Sequence, residues 1–158
     1  MSRAFVREID DAPPPPTPER PISAAPNLVT KRGASLIEAK IERLTRALPG
    51  LSGADEELAQ RDLRYWENRR ASMQIIERAP GDASVGFGAE VTLLRAGKQQ
   101  VLRIVGEDEA DPATGYLAWT APLARALDEA EAGESVEFEA GGRTEDIEIL
   151  KVTAIQGA

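Results

Sequence analysis

Two apolar seams separated by Pro49 and Gly50 limit what this chain can fold into. Ile37, Ile41, Leu44 and Leu48 recur at spacings of 4, 3 and 4 residues, which puts them on one face of a helix. Ala59, Leu63, Trp66, Arg70 and Met73 recur at 4, 3, 4 and 3, the heptad spacing of a face turned toward a second helix. Thr30 suits the cap of the first helix, predicted from about Lys31 to Leu48. Pro49 and Gly50 end it. Ser52 is predicted to cap the second helix by accepting from the amide of Asp55, in capping-box fashion. That helix should continue to about Arg78, before Pro80 and Gly81. So short a connection makes the two helices antiparallel neighbours. Taken alone, such a hairpin is either a packing or dimerisation element or a projecting arm.

The hairpin is flanked by two unlike segments. Ahead of it, seven prolines at 13, 14, 15, 16, 18, 21 and 26 remove backbone donors and fix φ, excluding helix and central strand. Residues 1–26 therefore read as an extended, disordered tail, with Pro13 to Pro16 also permitting a polyproline ligand. The hairpin itself occupies 27–80. Beyond it, 84–158 reads as a separate β domain, and the formal charge of −8 is concentrated there. An acidic surface repels phosphate, so a direct grip on nucleic acid is disfavoured and a basic protein partner favoured.

The chain has no Cys and no His, which removes thiol chemistry, imidazole bases and the usual zinc ligands. No apolar run approaches the roughly 20 residues of a membrane span, and the first residues lack the apolar middle of a secretory signal. A cytoplasmic protein is expected.

Within 84–158, Phe87, Ala89, Val91 and Leu93 alternate with polar or small neighbours, as in a strand with one buried face. Ala96-Gly97-Lys98 turns the chain into a returning strand from Gln99 to Val105. Leu117 to Thr120 is a short strand, and Val136 and Phe138 mark another. Gly141-Gly142 then leads into a last strand, about Thr144 to Ile155. Its apolar register moves from Ile147 and Ile149 to Leu150 and Val152, which predicts a bulge. Pro122 opens a helix to about Glu131. The fold class is α+β: an N-terminal antiparallel helical hairpin followed by an antiparallel sheet with one helix.

The run Arg103-Ile104-Val105-Gly106-Glu107-Asp108-Glu109-Ala110-Asp111, followed by Ala121-Pro122-Leu123-Ala124-Arg125, closely resembles the C-terminal domain of the bacterial Gre factors. That family carries the same acidic segment and a Ser-Pro-hydrophobic-Ala-Arg helix start. The resemblance covers about 27–155 and includes the hairpin, with Arg61-Asp62-Leu63-Arg64-Tyr65-Trp66 in the arm. It implies an FKBP-like C-terminal domain without isomerase activity following from the fold. It also implies RNA polymerase as partner, with the arm in the secondary channel and nucleic acid touched only through that complex. Family members act as accessory factors rather than enzymes, and this one is expected to be a monomer.

Carried across residue by residue, the family's docking loop, which grips the rim helices of the polymerase's largest subunit, falls on Thr120, Ala121, Pro122, Leu123 and Arg125, with Ala121 in place of the family's Ser. In a bland reading the same residues cap and anchor a core helix. At the tip, the resemblance implies that Asp55, Glu56 and Glu57 assist cleavage of backtracked RNA, with Asp55 and Glu57 holding a Mg²⁺ shared with the polymerase and no cofactor of the chain's own. The family's tip reads Gly-Asp-x-x-Glu-Asn-Ala-x-Tyr. Here Gly53 and Glu57 match, while Ala54, Leu58 and Arg61 depart from it. Acidic residues in a helix's first turn also complement its dipole. An arm from Ala54 to Arg78 would measure about 37 Å, shorter than typical Gre arms, and short-armed relatives include non-cleaving modulators of the polymerase.

Two further readings belong beside these. The segment Gly106 to Asp111 could hold a hard cation, but it lacks the spacing of a calcium loop and reads as a solvated acidic turn. A peptide-binding or prolyl isomerase module would need an apolar pocket, for which only Phe87, Tyr116, Trp119 and Phe138 are available.

Overall fold

The computed structural model describes residues 12–156. The start of the Pro-rich tail, 1–11, and residues 157 and 158 lie outside the described residues. The chain from residue 12 to Pro26 forms no helix or strand. It leads into β1 (Leu28–Val29), α1 (Lys31–Ala47), a 3₁₀ turn at Leu48–Gly50, α2 (Gly53–Ser72) and β2 (Gln74–Ile75). The second domain contains β3 (Ala89–Arg95), β4 (Lys98–Val105), β5 (Tyr116–Ala118), α3 (Pro122–Leu127), β6 (Ser135–Ala140) and β7 (Arg143–Ala154).

The hairpin closes along the expected seam. Ala34, Ile37 and Ile41 are buried with Val29, and Leu63, Trp66 and Met73 pack against them from α2. Thr30 caps α1, its hydroxyl accepting from the Gly33 amide at 3.0 Å. Ser52, by contrast, makes no side-chain cap bond. Arg70 does not enter the seam; it reaches across to Glu38 at 3.5 Å.

α2 stops at Ser72 rather than near Arg78. A non-local pairing takes its last predicted turn: Gln74 and Ile76 donate to the carbonyls of Asn27 and Val29 at 2.8 and 2.9 Å, forming a two-stranded parallel sheet with β1. The 20 residues of α2 give an arm of about 30 Å.

The five strands of the second domain lie in the order β5-β4-β3-β7-β6. The inward residues of β3 and β7, Ala89, Val91, Leu93, Ile147 and Ile149, meet Ala124 and Leu127 of α3 in the core. Alternation therefore reports the buried face correctly. The predicted bulge lies where Leu93 pairs with Ile149 and Thr92 with Lys151, leaving Leu150 unpaired and exposed.

The expectation of an antiparallel sheet holds for β3–β4, β3–β7 and β6–β7. β5, however, runs parallel to β4, with Arg103 beside Tyr116 and Val105 beside Ala118. Parallel neighbours require a crossover connection. Residues 106–115 supply it, and their acidic half meets the root of the hairpin.

α3 is likewise shorter than its predicted extent to Glu131. After Leu127 the chain turns, and Glu129 and Ala130 exchange backbone bonds with Val85 at 2.9 and 2.8 Å.

The β3–β4 turn places both central residues at positive φ, Ala96 at 50° and Gly97 at 74°, as a two-residue type I′ hairpin requires. Alanine is ill suited to the first of these positions. Ala96→Asn should raise stability by about 0.5–1 kcal/mol, since an L-residue at positive φ costs on that order and Asn tolerates it better. A higher urea midpoint at unchanged slope is the expected reading.

Candidate functional site

The tip is built by the 3₁₀ turn and the first turn of α2. Asp55 and Glu57 are exposed and Glu56 is partly buried, its carboxylate accepting from Gln60 at 3.1 Å. Residues two apart on a helix differ by about 200° around its axis and do not face each other. Asp55 and Glu57 therefore diverge, and Glu57 accepts instead from Thr17 of the tail at 3.3 Å. Among the described residues no three carboxylates gather where a metal ion could be held. The pair does not fit one shared Mg²⁺ in this arrangement.

The expected docking residues form one continuous edge. Thr120 donates to Glu107 at 3.0 Å, Ala121 is the N-cap of α3, and Pro122 occupies its first turn, where no amide proton is needed. Pro122 and Arg125 are exposed, while Leu123 is partly buried against the core. Both readings of this stretch coexist: Ala124 and Leu127 anchor the helix, and Pro122 and Arg125 face outward. The cleft beside it, lined by Phe87, Ile104, Trp119 and Arg125, has a volume of about 140 Å³. Ligand pockets commonly reach roughly 300–1,000 Å³, so the cleft gives little support to a peptide-binding module.

Between the tip and this edge lies a polar clamp absent from the sequence reading. Arg69 of α2 is only 2% exposed. Its Nε donates to Asp108 Oδ2 at 2.5 Å and its Nη2 to Asn27 Oδ1 at 2.7 Å. Asn27 Nδ2 returns a bond to the Arg69 carbonyl at 2.8 Å, satisfying an orphan acceptor in the last turn of α2. Tyr65 donates to the other oxygen of Asp108 at 2.5 Å.

Glu109, 7% exposed, accepts from Thr30 at 2.6 Å and from Arg32 at 2.9 Å. The segment read as a solvated acidic turn is thus half buried, because two cations and two hydroxyls of the hairpin satisfy its carboxylates. The available signal was the presence of Arg32 and Arg69 near the two ends of the hairpin that meet at its root. Periodicity does not identify their partners.

Burial first, and then the Asp108 carboxylate it donates to, push the Tyr65 phenol up to about 12. A folded value above the ordinary phenol value of about 10 means that the neutral hydroxyl contributes fully below pH 10 and is lost as pH rises toward 12. In a spectrophotometric titration Tyr65→Phe should lose the late-ionising component. Unchanged curves above pH 11 would contradict the assignment.

The model of the family described as "Transcription elongation factor, GreA/GreB, C-term" matches residues 80–154. The chain is 35% identical over 130 residues to the transcription elongation factor GreB of Neisseria meningitidis, covering 82% of this chain and 68% of that protein. It belongs to the GreA/GreB family. Against GreA of Rhodopseudomonas palustris the identity is 46% over 85 residues, 52% of this chain and 53% of that protein. The chain thus spans about half of that relative. A solved GreA/GreB structure from Nitrosomonas europaea overlaps 82% of this chain and 98% of its own at 20% identity, with a TM-score of 0.41.

As a GreA/GreB-family chain, the protein ties its hairpin to its C-terminal domain through four elements: the Asn27 to Thr30 entry, the root of α2, the Gly106 to Asp111 loop and, through Glu107, the Thr120 edge. No helix among the described residues is long and apolar enough to cross a membrane.

Proposed function

We propose that this GreA/GreB-family factor docks on RNA polymerase through the Thr120 to Arg125 edge and places its hairpin in the secondary channel, modulating elongation by occupancy. Membership of the family supports the partner. The geometry that supports occupancy is the tip, where Asp55 and Glu57 diverge on an arm of about 30 Å. The chain lends the polymerase a shaped obstacle and a surface and does not catalyse a reaction of its own.

Purified, backtracked polymerase complexes provide the test, with RNA cleavage and forward elongation followed with and without the protein. Altered elongation with unchanged or slower cleavage is expected, and at saturating protein it should be the same for Asp55→Ala and Glu57→Ala. Accelerated cleavage that either substitution abolishes would replace occupancy with tip-assisted cleavage.

A further inference from the structure

The tail segment Pro16 to Ser23 lies along the outer flank of α2. Thr17 donates to Glu57 at 3.3 Å. Arg64 Nε donates to both oxygens of Glu19, at 3.1 and 3.2 Å, and this bond holds the Glu19 carboxyl below its ordinary range. The Arg20 guanidinium lies 3.8 Å from the Tyr65 ring centroid and 5.4 Å from that of Trp66, with Asp62 at 3.7 Å. At the root, Ser23 donates to Glu107 at 3.0 Å, on the same oxygen that accepts from Thr120. The segment therefore follows the arm from the docking edge almost to the tip.

Its composition suits that course. Pro16, Pro18 and Pro21 keep the chain extended without a helix or ladder of its own, so ordering it along α2 costs little entropy. Among the described residues, no backbone hydrogen bond joins 12–25 to α2. The contacts are side-chain pairs near the surface, and Glu19 and Arg64 are more than half exposed. Such pairs are individually weak and readily exchanged. Asn27, where the deep anchoring begins, marks the fixed end.

We propose that Pro16 to Ser23 is a releasable strap that closes over the arm and must leave before the arm enters a narrow channel. The proposal rests on the reading of the hairpin as a channel-entering arm. Two packed helices are already about 20 Å across, and an extended chain laid on them adds roughly 5–10 Å. The strap also takes up Glu57 and Arg64, which an entering arm would present to its surroundings, and its root engages the Glu107 that positions Thr120. A strap closed nine-tenths of the time weakens apparent affinity about tenfold.

Because the 158-residue chain has no cysteine, it can be compared in three forms: unaltered, released by Glu19→Lys with Arg20→Glu, and locked by a short bismaleimide between Pro16→Cys and Gln60→Cys, which replace residues lining one cleft. Amide ¹⁵N relaxation should give order parameters of about 0.8 at Thr17, Glu19, Arg20, Ile22 and Ser23 in the unaltered chain and below about 0.6 at the same positions in the released one. Competition binding to core RNA polymerase should show the released chain about 3–10-fold tighter and the locked chain at least about 10-fold weaker. A mobile 17–23 segment in the unaltered chain, or equal binding by all three forms, would overturn the strap. Absence of binding by every form, including the released one, would overturn the polymerase reading and with it the gate, while the relaxation data alone would decide whether the strap docks.

Discussion

Arg69→Met should destabilise the protein by about 3–5 kcal/mol, the effect of removing one partner from a buried ion pair. Arg69 is 2% exposed and supplies bonds to both Asp108 and Asn27. Methionine fills much of the volume but leaves the Asp108 carboxylate with Tyr65 as its remaining close donor. Asn27, which caps the last turn of α2, loses the bond that orients it. Denaturant unfolding of the single variants and the double variant with Asp108→Leu provides the check. The pair removed together should recover part of the loss, since an apolar replacement of both charges avoids the stranded one. A loss below about 1 kcal/mol for Arg69→Met would mean that the clamp is not a major contributor to stability.

Gly106→Ala is the second large effect, and its cause is purely steric. A Cβ at this position would lie 2.4 Å from the carbonyl oxygen of Leu28 and 3.5 Å from Val29 Cα. Both belong to the backbone of β1, so no side chain can swing aside. The expected cost is about 1–3 kcal/mol, typical of overpacking a fitted interface. Faster hydrogen exchange should appear at Gln74 and Ile76, whose amides bond to the chain on either side of Leu28. Gly50→Ala meets nothing within 4 Å and should change stability by less than about 0.5 kcal/mol. Equal behaviour of the two variants would contradict the close contact between the domains.

Much of the fold was legible because its signals are local. Ile37 and Ile41 repeat with the period of a helix and are buried; Val91, Leu93, Ile147 and Ile149 repeat with the period of a strand and are buried. Even the bulge at Leu150 is written in a change of apolar register. The errors are non-local. α2 and α3 end early because Asn27, Val29 and Val85, distant in sequence, compete for backbone groups that a helix would otherwise use. The clamp escaped for the same reason: Arg69 meets Asn27 and Asp108 across separations of 42 and 39 residues. A charged residue's periodicity indicates its side of a helix but not whether a partner awaits it.

The candidate sites divide similarly. The Thr120 to Arg125 edge was legible as a helix start preceded by a small residue, and Pro122 and Arg125 face outward. At the tip, the divergence of Asp55 and Glu57 follows from their spacing once both are on α2. The tail's course along α2 could not be read in advance, because Pro-rich composition specifies an extended chain and says nothing of the surface that it follows.

The polymerase-bound position of the arm is the central claim, and site-specific photocrosslinking tests it most directly. A photoreactive side chain at Gly50, exposed at the tip, should crosslink in the assembled complex to polymerase segments lining the secondary channel, while one at Arg125 should mark the rim of the largest subunit. Tip crosslinks confined to the outer surface of the polymerase, or absent under conditions where the complex forms, would contradict the account.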